Sequence, residues 1–170
     1  MNKLKSEEIK YSKKLNTTNL SALRSGNISL RTKEKGVEGF YITPSGRKYS
    51  SLKPEDIVFV SLKGVFDKKK GKPSSEWRFH QDIYVNKKEA KAIVHAHSTC
   101  ATAVSSHQKN IPAFHYMVAV AGGEDIKCTK YATFGTKSLS KNIIKALKNR
   151  SACLIANHGQ VAFGENLENT

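Results

Sequence analysis

The sequence predicts an α+β domain in which a central, mainly antiparallel or mixed sheet lies between helices as a three-layer α/β/α sandwich. Segments that alternate apolar and polar residues are interspersed with segments of helical period. The early strands follow one another without an intervening helix, which argues against strict βαβ alternation. No repeat, low-complexity tract or Pro/Gly/Ser-rich linker divides the 170 residues, so residues 1–170 are expected to share one core.

Taken in order, residues from Ser6 to Leu23 place Ile9, Leu15, Leu20 and Leu23 among polar neighbours, the pattern of a surface helix. Ser25-Gly26-Asn27 interrupts it. Asn27–Arg31 and Gly39–Thr43 read as two strands, followed by a turn at Pro44-Ser45-Gly46. Ile57–Leu62 is rich in β-branched and aromatic residues and reads as a third strand. Ser74-Ser75 marks a helix start, with Trp77, His80, Ile83 and Tyr84 recurring at helical spacing behind it. Ala92–His97 reads as a strand leading into a helix from Ser98 to His107, and a further helix spans Ser138 to Asn149. Ala152–Ala156 and Gln160–Phe163 are two short strands parted by Asn157-His158-Gly159.

Composition narrows the function. Hydrophobic residues at 38% with 25% charged residues describe a globular chain, and no apolar run reaches the length of about 18 residues of a membrane span. The opening residues Met1 to Glu8 lack the apolar segment of a secretory leader, so the expected compartment is the cytoplasm. Cys100, Cys128 and Cys153 are odd in number and widely spaced, which fits three buried apolar thiols and no disulfide framework or CxxC site. The net charge of +15 raises nucleic-acid binding. The cations are mostly scattered lysines without interleaved aromatics, however, so neither nucleic acid nor membrane is expected as a partner. The run Asp67 to Lys72 reads as a solvated loop, and a basic surface attracts small anionic substrates.

The chemistry is carried by histidines. His95 and His97 stand two apart at a strand end, so both rings face the same way. His158 is a natural third ligand, with Gly159 beside it to allow a sharp turn. Three protein ligands with one open position make a catalytic zinc site; the competing reading is three strand-end histidines bonded to carbonyls. His80 shares a helix face with Trp77 and Tyr84 and reads as packed rather than ligating. Glu76, at a helix start, is either a helix-dipole acid or, beside a metal, a general base for a carbon acid. Gly26-Asn27, Ser45-Gly46 and Ser74-Ser75 are short turn segments able to receive a phosphate on backbone N–H groups.

With these residues in view, the strings Pro73–His80, Ile93–Ser98, Ile111–Met117, Tyr131–Thr136 and Asn157–Gly159 occur in an order that resembles the class II aldolase/adducin family over nearly the whole chain. The resemblance implies reversible cleavage of a ketose 1-phosphate, L-fuculose 1-phosphate, to dihydroxyacetone phosphate and L-lactaldehyde. It implies zinc on His95, His97 and His158, with Glu76 capping the resting metal and then serving as base. It further implies that Tyr116 from a neighbouring subunit is the acid, that Phe134 lines the aldehyde end, and that the three turn segments form the phosphate pocket of a homotetramer. A sugar-phosphate dehydratase, epimerase or decarboxylase shares the histidine triad, although the epimerase branch carries aspartate at the position of Glu76. Family members continue past Glu168 with a helical segment. A shortened, inactive remnant is therefore the alternative expectation.

Overall fold

The computed structural model describes residues 2–22 and 24–170. Six strands form one sheet: β1 (Asn27–Glu34), β2 (Val37–Ile42), β3 (Val58–Ser61), β4 (Ala92–Ala96), β5 (Ala152–Ile155) and β6 (Gly159–Gly164). Their order is β3-β2-β1-β4-β6-β5, and every pairing between these strands is antiparallel. The α-helices of the described residues are α1 (Asn2–Thr17), α2 (Trp77–Asn86), α3 (Thr99–Ser106) and α4 (Lys137–Ala146). Among the described residues, no helix is long and apolar enough to cross a membrane.

Period-two alternation divides the apolar side chains between the two faces. Ile28, Leu30, Tyr41 and Ala92 turn toward α1, where Ile9 and Leu15 meet them. Phe40, Ile42, Ile93, Val161 and Phe163 turn the other way, onto Phe79 and Ile83 of α2 and Leu139 and Ile143 of α4. The three layers expected from the sequence are present, and the sheet is antiparallel throughout.

Several element ends differ from the sequence reading. The first helix starts before Ser6 and stops at Thr17, because Asn19 takes a left-handed conformation (φ 56°) and the peptide N–H of Ser21 folds back on the Leu15 carbonyl. Leu20 consequently lies on the exposed turn, and Leu23 falls outside the described residues. The first two strands run on to meet in a two-residue hairpin at Lys35-Gly36, both with positive φ (50° and 80°). That is the backbone a tight hairpin needs, reached here without the usual Asn-Gly signal.

The cysteine reading holds in part. All three thiols are free, but only Cys153 is buried; Cys100 is exposed and Cys128 half-buried. The Asp67–Lys72 run is not wholly irregular either. Lys68–Lys70 form a short 3-10 turn, capped by the Asp67 carboxylate, which accepts the Lys69 N–H at 2.9 Å.

One feature of the α1 layer runs against its surroundings. Glu8 is fully buried, and neither carboxylate oxygen has a hydrogen-bond partner. Burial pushes its carboxyl well above the usual range, and the nearby Lys5 charge offsets this only partly. The folded state therefore holds the Glu8 proton to higher pH than the unfolded chain. Stability contributed by the protonated group is intact below the unfolded pKa of about 4.3 and is lost as pH climbs toward the raised folded value. Replacing Glu8 with Leu should raise the melting temperature, with a gain of about 1–3 kcal/mol. Paired thermal melts at pH 5 and pH 8 should show the larger gain at pH 8.

Candidate metal centre and substrate cleft

The register of the central strands builds the site. Asn27 of β1 lies opposite His95 of β4, and His95 lies opposite Val161 of β6. His95 is fully buried, and its Nδ1–H donates to the Gln160 carbonyl at 2.8 Å. That bond commits Nδ1 and leaves Nε2 as the nitrogen that faces the cluster. His97 follows the end of β4, its peptide N–H held by the buried Ser21 hydroxyl at 3.0 Å. Its Nε2 comes within 2.8 Å of the His95 Nε2.

His158 arrives from the turn between β5 and β6. The sequence reading gave the sharp bend to Gly159, but the left-handed residue is Asn157 (φ 56°). Gly159 is required for a different reason: a Cβ there would lie 2.4 Å from the Ala96 carbonyl oxygen and 3.2 Å from the His97 ring. Ser105 of α3 pins the same turn, its carbonyl accepting the Asn157 N–H at 3.1 Å and its hydroxyl the His158 N–H at 3.3 Å. One candidate ligand atom from each of the three histidines falls within 4.8 Å of the others.

Glu76 completes the cluster. It is the N-cap residue of α2, the helix beginning one residue later than Ser74-Ser75 suggests, and its carboxylate does not cap the helix. Instead Oε2 accepts the Asn27 amide N–H at 3.0 Å and lies 3.1 Å from His95 Nε2, while Oε1 lies 3.6 Å from His158 Nε2. Burial acts to raise this carboxyl, but the charge and hydrogen bond of His95, then the His158 charge and the Asn27 amide, outweigh it and bring it down to about 2. His97 is lowered to about 4, and His158 is lowered too, by burial first and then by the His95 charge. Both shifts favour the neutral imidazole, the form that binds a metal.

The donor set fits a divalent cation. Three imidazoles converge beside a carboxylate whose Oε1 is buried without a hydrogen-bond partner. Histidine nitrogens with a carboxylate oxygen suit a borderline cation such as zinc.

A cleft of about 250 Å3 opens in front of this cluster. Gly26, Asn27, Ser45, Gly46, Ser74 and Ser75 line it together with Glu76, His97, His158 and Phe134. All three turn segments singled out in the sequence thus meet at one place. A Pro44–Pro73 bridge ties two of them together, with the Ser45 N–H bound to the Lys72 carbonyl and the Ser74 N–H to that of Thr43. Those two amides are therefore already engaged within the fold. Gly26 needs its positive φ (79°), and a Cβ there would sit 2.7 Å from the His95 carbonyl. Phe134 is held over the cleft by Gly135, packed against the Ser75 carbonyl.

Tyr116 is not gathered with the others. It begins a 3-10 turn (Tyr116–Ala121), is 77% exposed, and does not line the cleft of its own chain. Sequence reasoning missed Arg24, which lines the cleft and donates to the Gly46 carbonyl at 2.9 Å. The available signal was an arginine flanking Ser25-Gly26 in a chain whose cations are mostly lysine. A larger hollow of about 750 Å3, beside Phe59 and Phe66 near the β3 edge, shares no residue with the histidine cluster.

A three-layer antiparallel fold with three histidines and a buried carboxylate beside a hydroxyl-lined cleft describes a candidate metal centre. The chain belongs to the class II aldolase and adducin family: the description "Class II Aldolase and Adducin N-terminal domain" matches residues 6–170. It is 43% identical over 167 residues to L-fuculose phosphate aldolase of Escherichia coli (strain K12), covering 98% of this chain and 75% of that one. It is also 43% identical over 160 residues to the 5-methylthioribulose-1-phosphate/5-deoxyribulose-1-phosphate aldolase of Rhodospirillum rubrum, covering 94% and 70%. Among solved structures, an L-fuculose 1-phosphate aldolase superposes with a TM-score of 0.91 at 41% identity, covering 98% of this chain and 77% of that one. These relatives are class II aldolases, metal-dependent lyases, and the chain is an enzyme of that class.

The close approach at Gly159 gives a direct test of the geometry. Gly159→Ala should destabilise the fold by about 1–3 kcal/mol and sharply reduce metal uptake, because the β5–β6 turn has to shift away from Ala96 and His97. Thermal melts and elemental analysis on the same preparation check both.

Proposed function

We propose that the protein is a zinc-dependent aldolase that reversibly cleaves a ketose 1-phosphate, L-fuculose 1-phosphate, to dihydroxyacetone phosphate and L-lactaldehyde. The observation that carries the reading is the convergence of His95, His97 and His158 on one point, with the Glu76 carboxylate beside them and a hydroxyl-lined cleft in front. His95, His97 and His158 would hold the zinc, with Glu76 as an additional ligand at rest. Zinc there supplies Lewis-acid stabilisation of the negative charge that develops on the substrate's carbonyl oxygen.

The rest falls to the chain's own groups. Ser45, Ser74 and Ser75, with the backbone of Gly26 and Gly46 and the Asn27 side chain, receive the phosphate end; Arg24, from the cleft rim, adds a positive charge. In the condensation direction Glu76 removes the proton from the carbon beside the carbonyl, the new carbon–carbon bond forms, and a tyrosine hydroxyl gives its proton to the aldehyde oxygen. Cleavage runs these transfers in reverse. Phe134 supplies an apolar wall for the aldehyde end.

That tyrosine is Tyr116 of a neighbouring copy in a homotetramer. Phe114, Tyr116, Met117 and Val120 are between 52% and 77% exposed on one short segment, the kind of apolar surface that partners cover. A cytoplasmic setting goes with this reading.

A second substrate is favoured by a specific observation. The relative named for 5-methylthioribulose-1-phosphate and 5-deoxyribulose-1-phosphate is as similar to this chain as the fuculose enzyme, both at 43% identity. Both substrate classes are ketose 1-phosphates, and they differ in the aldehyde half that Phe134 would meet.

The purified chain should carry about one zinc per subunit and release dihydroxyacetone phosphate from L-fuculose 1-phosphate faster than from 5-deoxyribulose 1-phosphate. Glu76→Gln should lower kcat by about 10²–10⁴-fold while the chain stays folded. Zinc-loaded protein that releases no dihydroxyacetone phosphate from any ketose 1-phosphate would overturn the reading; preference for the deoxyribulose compound would reassign the aldehyde.

A further inference from the structure

Behind Glu76 lies a buried polar cluster of which the aldol reading uses Asn27 alone. Asn27, Ser29, His80 and Tyr84 are each at most 3% exposed, in a layer otherwise filled by apolar side chains. Asn27 and Ser29 are two residues apart on β1 and share a face; His80 and Tyr84 are one turn apart on α2 and share another. Buried polar groups are costly unless hydrogen-bonded, and these four bond in series. Tyr84 Oη lies 2.8 Å from Ser29 Oγ, which lies 2.7 Å from His80 Nδ1. His80 Nε2 contacts Asn27 Oδ1, and Asn27 Nδ2 donates to Glu76 Oε2 at 3.0 Å.

The direction of every bond follows from the last one. An ionised carboxylate only accepts, so the Asn27 amide presents its NH2 to Glu76 and its oxygen to His80. His80 must then carry its proton on Nε2. Its Nδ1 becomes an acceptor for the Ser29 hydroxyl, and the Ser29 oxygen in turn accepts from Tyr84. Burial lowers His80 to about 3, consistent with this neutral tautomer. Reversing the Asn27 amide would set its oxygen against the Glu76 carboxylate and require the other His80 tautomer. The outer end is anchored as well: the Arg31 guanidinium sits 4.8 Å over the Tyr84 ring, and Arg31 Nε donates to the Ala90 carbonyl at 2.8 Å.

We propose that His80 is a positioning residue for the aldol proton transfer: through its Nε2–H it locks the Asn27 amide, and the locked amide holds the Glu76 carboxylate in line with the carbon it deprotonates. The inference rests on the aldolase reading with Glu76 as base. His80 touches neither substrate nor metal.

The test follows exchange of the carbon-bound protons of dihydroxyacetone phosphate with deuterium oxide, read by NMR on zinc-loaded protein without any aldehyde. This isolates the Glu76 step from aldehyde identity. His80→Phe keeps a flat ring but has no donor, and should slow exchange by about 10- to 100-fold. Zinc content and the dihydroxyacetone phosphate concentration for half-maximal exchange should stay as in the unsubstituted chain. His80→Gln, which can still donate an N–H toward Asn27, should recover most of the rate. Ser29→Ala, a smaller change, frees His80 to adopt the other tautomer and should slow exchange in the same direction; it decides the matter if His80→Phe does not fold. Exchange by His80→Phe within about twofold of the unsubstituted chain overturns the inference alone, as does an equally slow His80→Gln, a loss of zinc, or an unaffected Ser29→Ala. No exchange by the unsubstituted, zinc-loaded chain overturns the aldolase reading and this inference with it.

Discussion

The strand register at the centre of the sheet is the constraint on which the remaining structure depends. With Asn27 opposite His95, and Gln160 adjacent on β6 to accept the His95 Nδ1–H, the imidazole is fixed in position and direction before any ligand arrives. A slip of one residue would turn His95 toward α1 and put Val94 in its place, since side chains alternate faces. The apolar sets on the two faces prevent that slip: Ile93 and Ala92 would exchange layers, and both layers are closely filled. Hydrophobic patterning therefore does more than stabilise the fold. It aims the candidate metal-binding nitrogen.

The same patterning is broken at the places where chemistry is expected. On the α2 face, β1 carries Asn27, Ser29 and Arg31 where apolar residues would pack best, and α2 answers with His80 and Tyr84. A fully satisfied polar network of this kind stiffens its surroundings, whereas a partly satisfied one is costly. At the end of this network Glu76 keeps an unpartnered buried oxygen, which fits a residue that has to bind a cation or move a proton. On the α1 face Glu8 shows the same lack of partners with no such site beside it, and there burial and an unmet hydrogen-bonding need simply oppose folding.

Some of the departures from the sequence reading share a cause. The turn that ends α1, the hairpin at Lys35-Gly36 and the bend at Asn157 all use positive φ at residues other than glycine. Short-range rules assign that conformation first to glycine. Asn19 and Asn157 adopt it as the next most tolerant type, and Lys35 does so because the strands on either side are already paired. Gly159, by contrast, owes its identity to the carbonyl of Ala96, 63 residues earlier in the chain. No local pattern announces a contact of that kind.

From the sequence alone came the layer architecture, the positions of the strands and of the helices after the first to within a few residues, and the pairing of His95 with His97, because each depends on periodicities that operate over a single turn or strand. The folded chain decided what those residues meet. It brought Arg24, Gly26, Gly46, Ser75, Phe134 and His158 to one cleft, engaged Glu76 with His95 and Asn27 in place of the helix end, and kept Tyr116 out of its own chain's site. Those outcomes arise from close packing between segments far apart in sequence, where a single carbonyl or methyl group determines which side chain can approach.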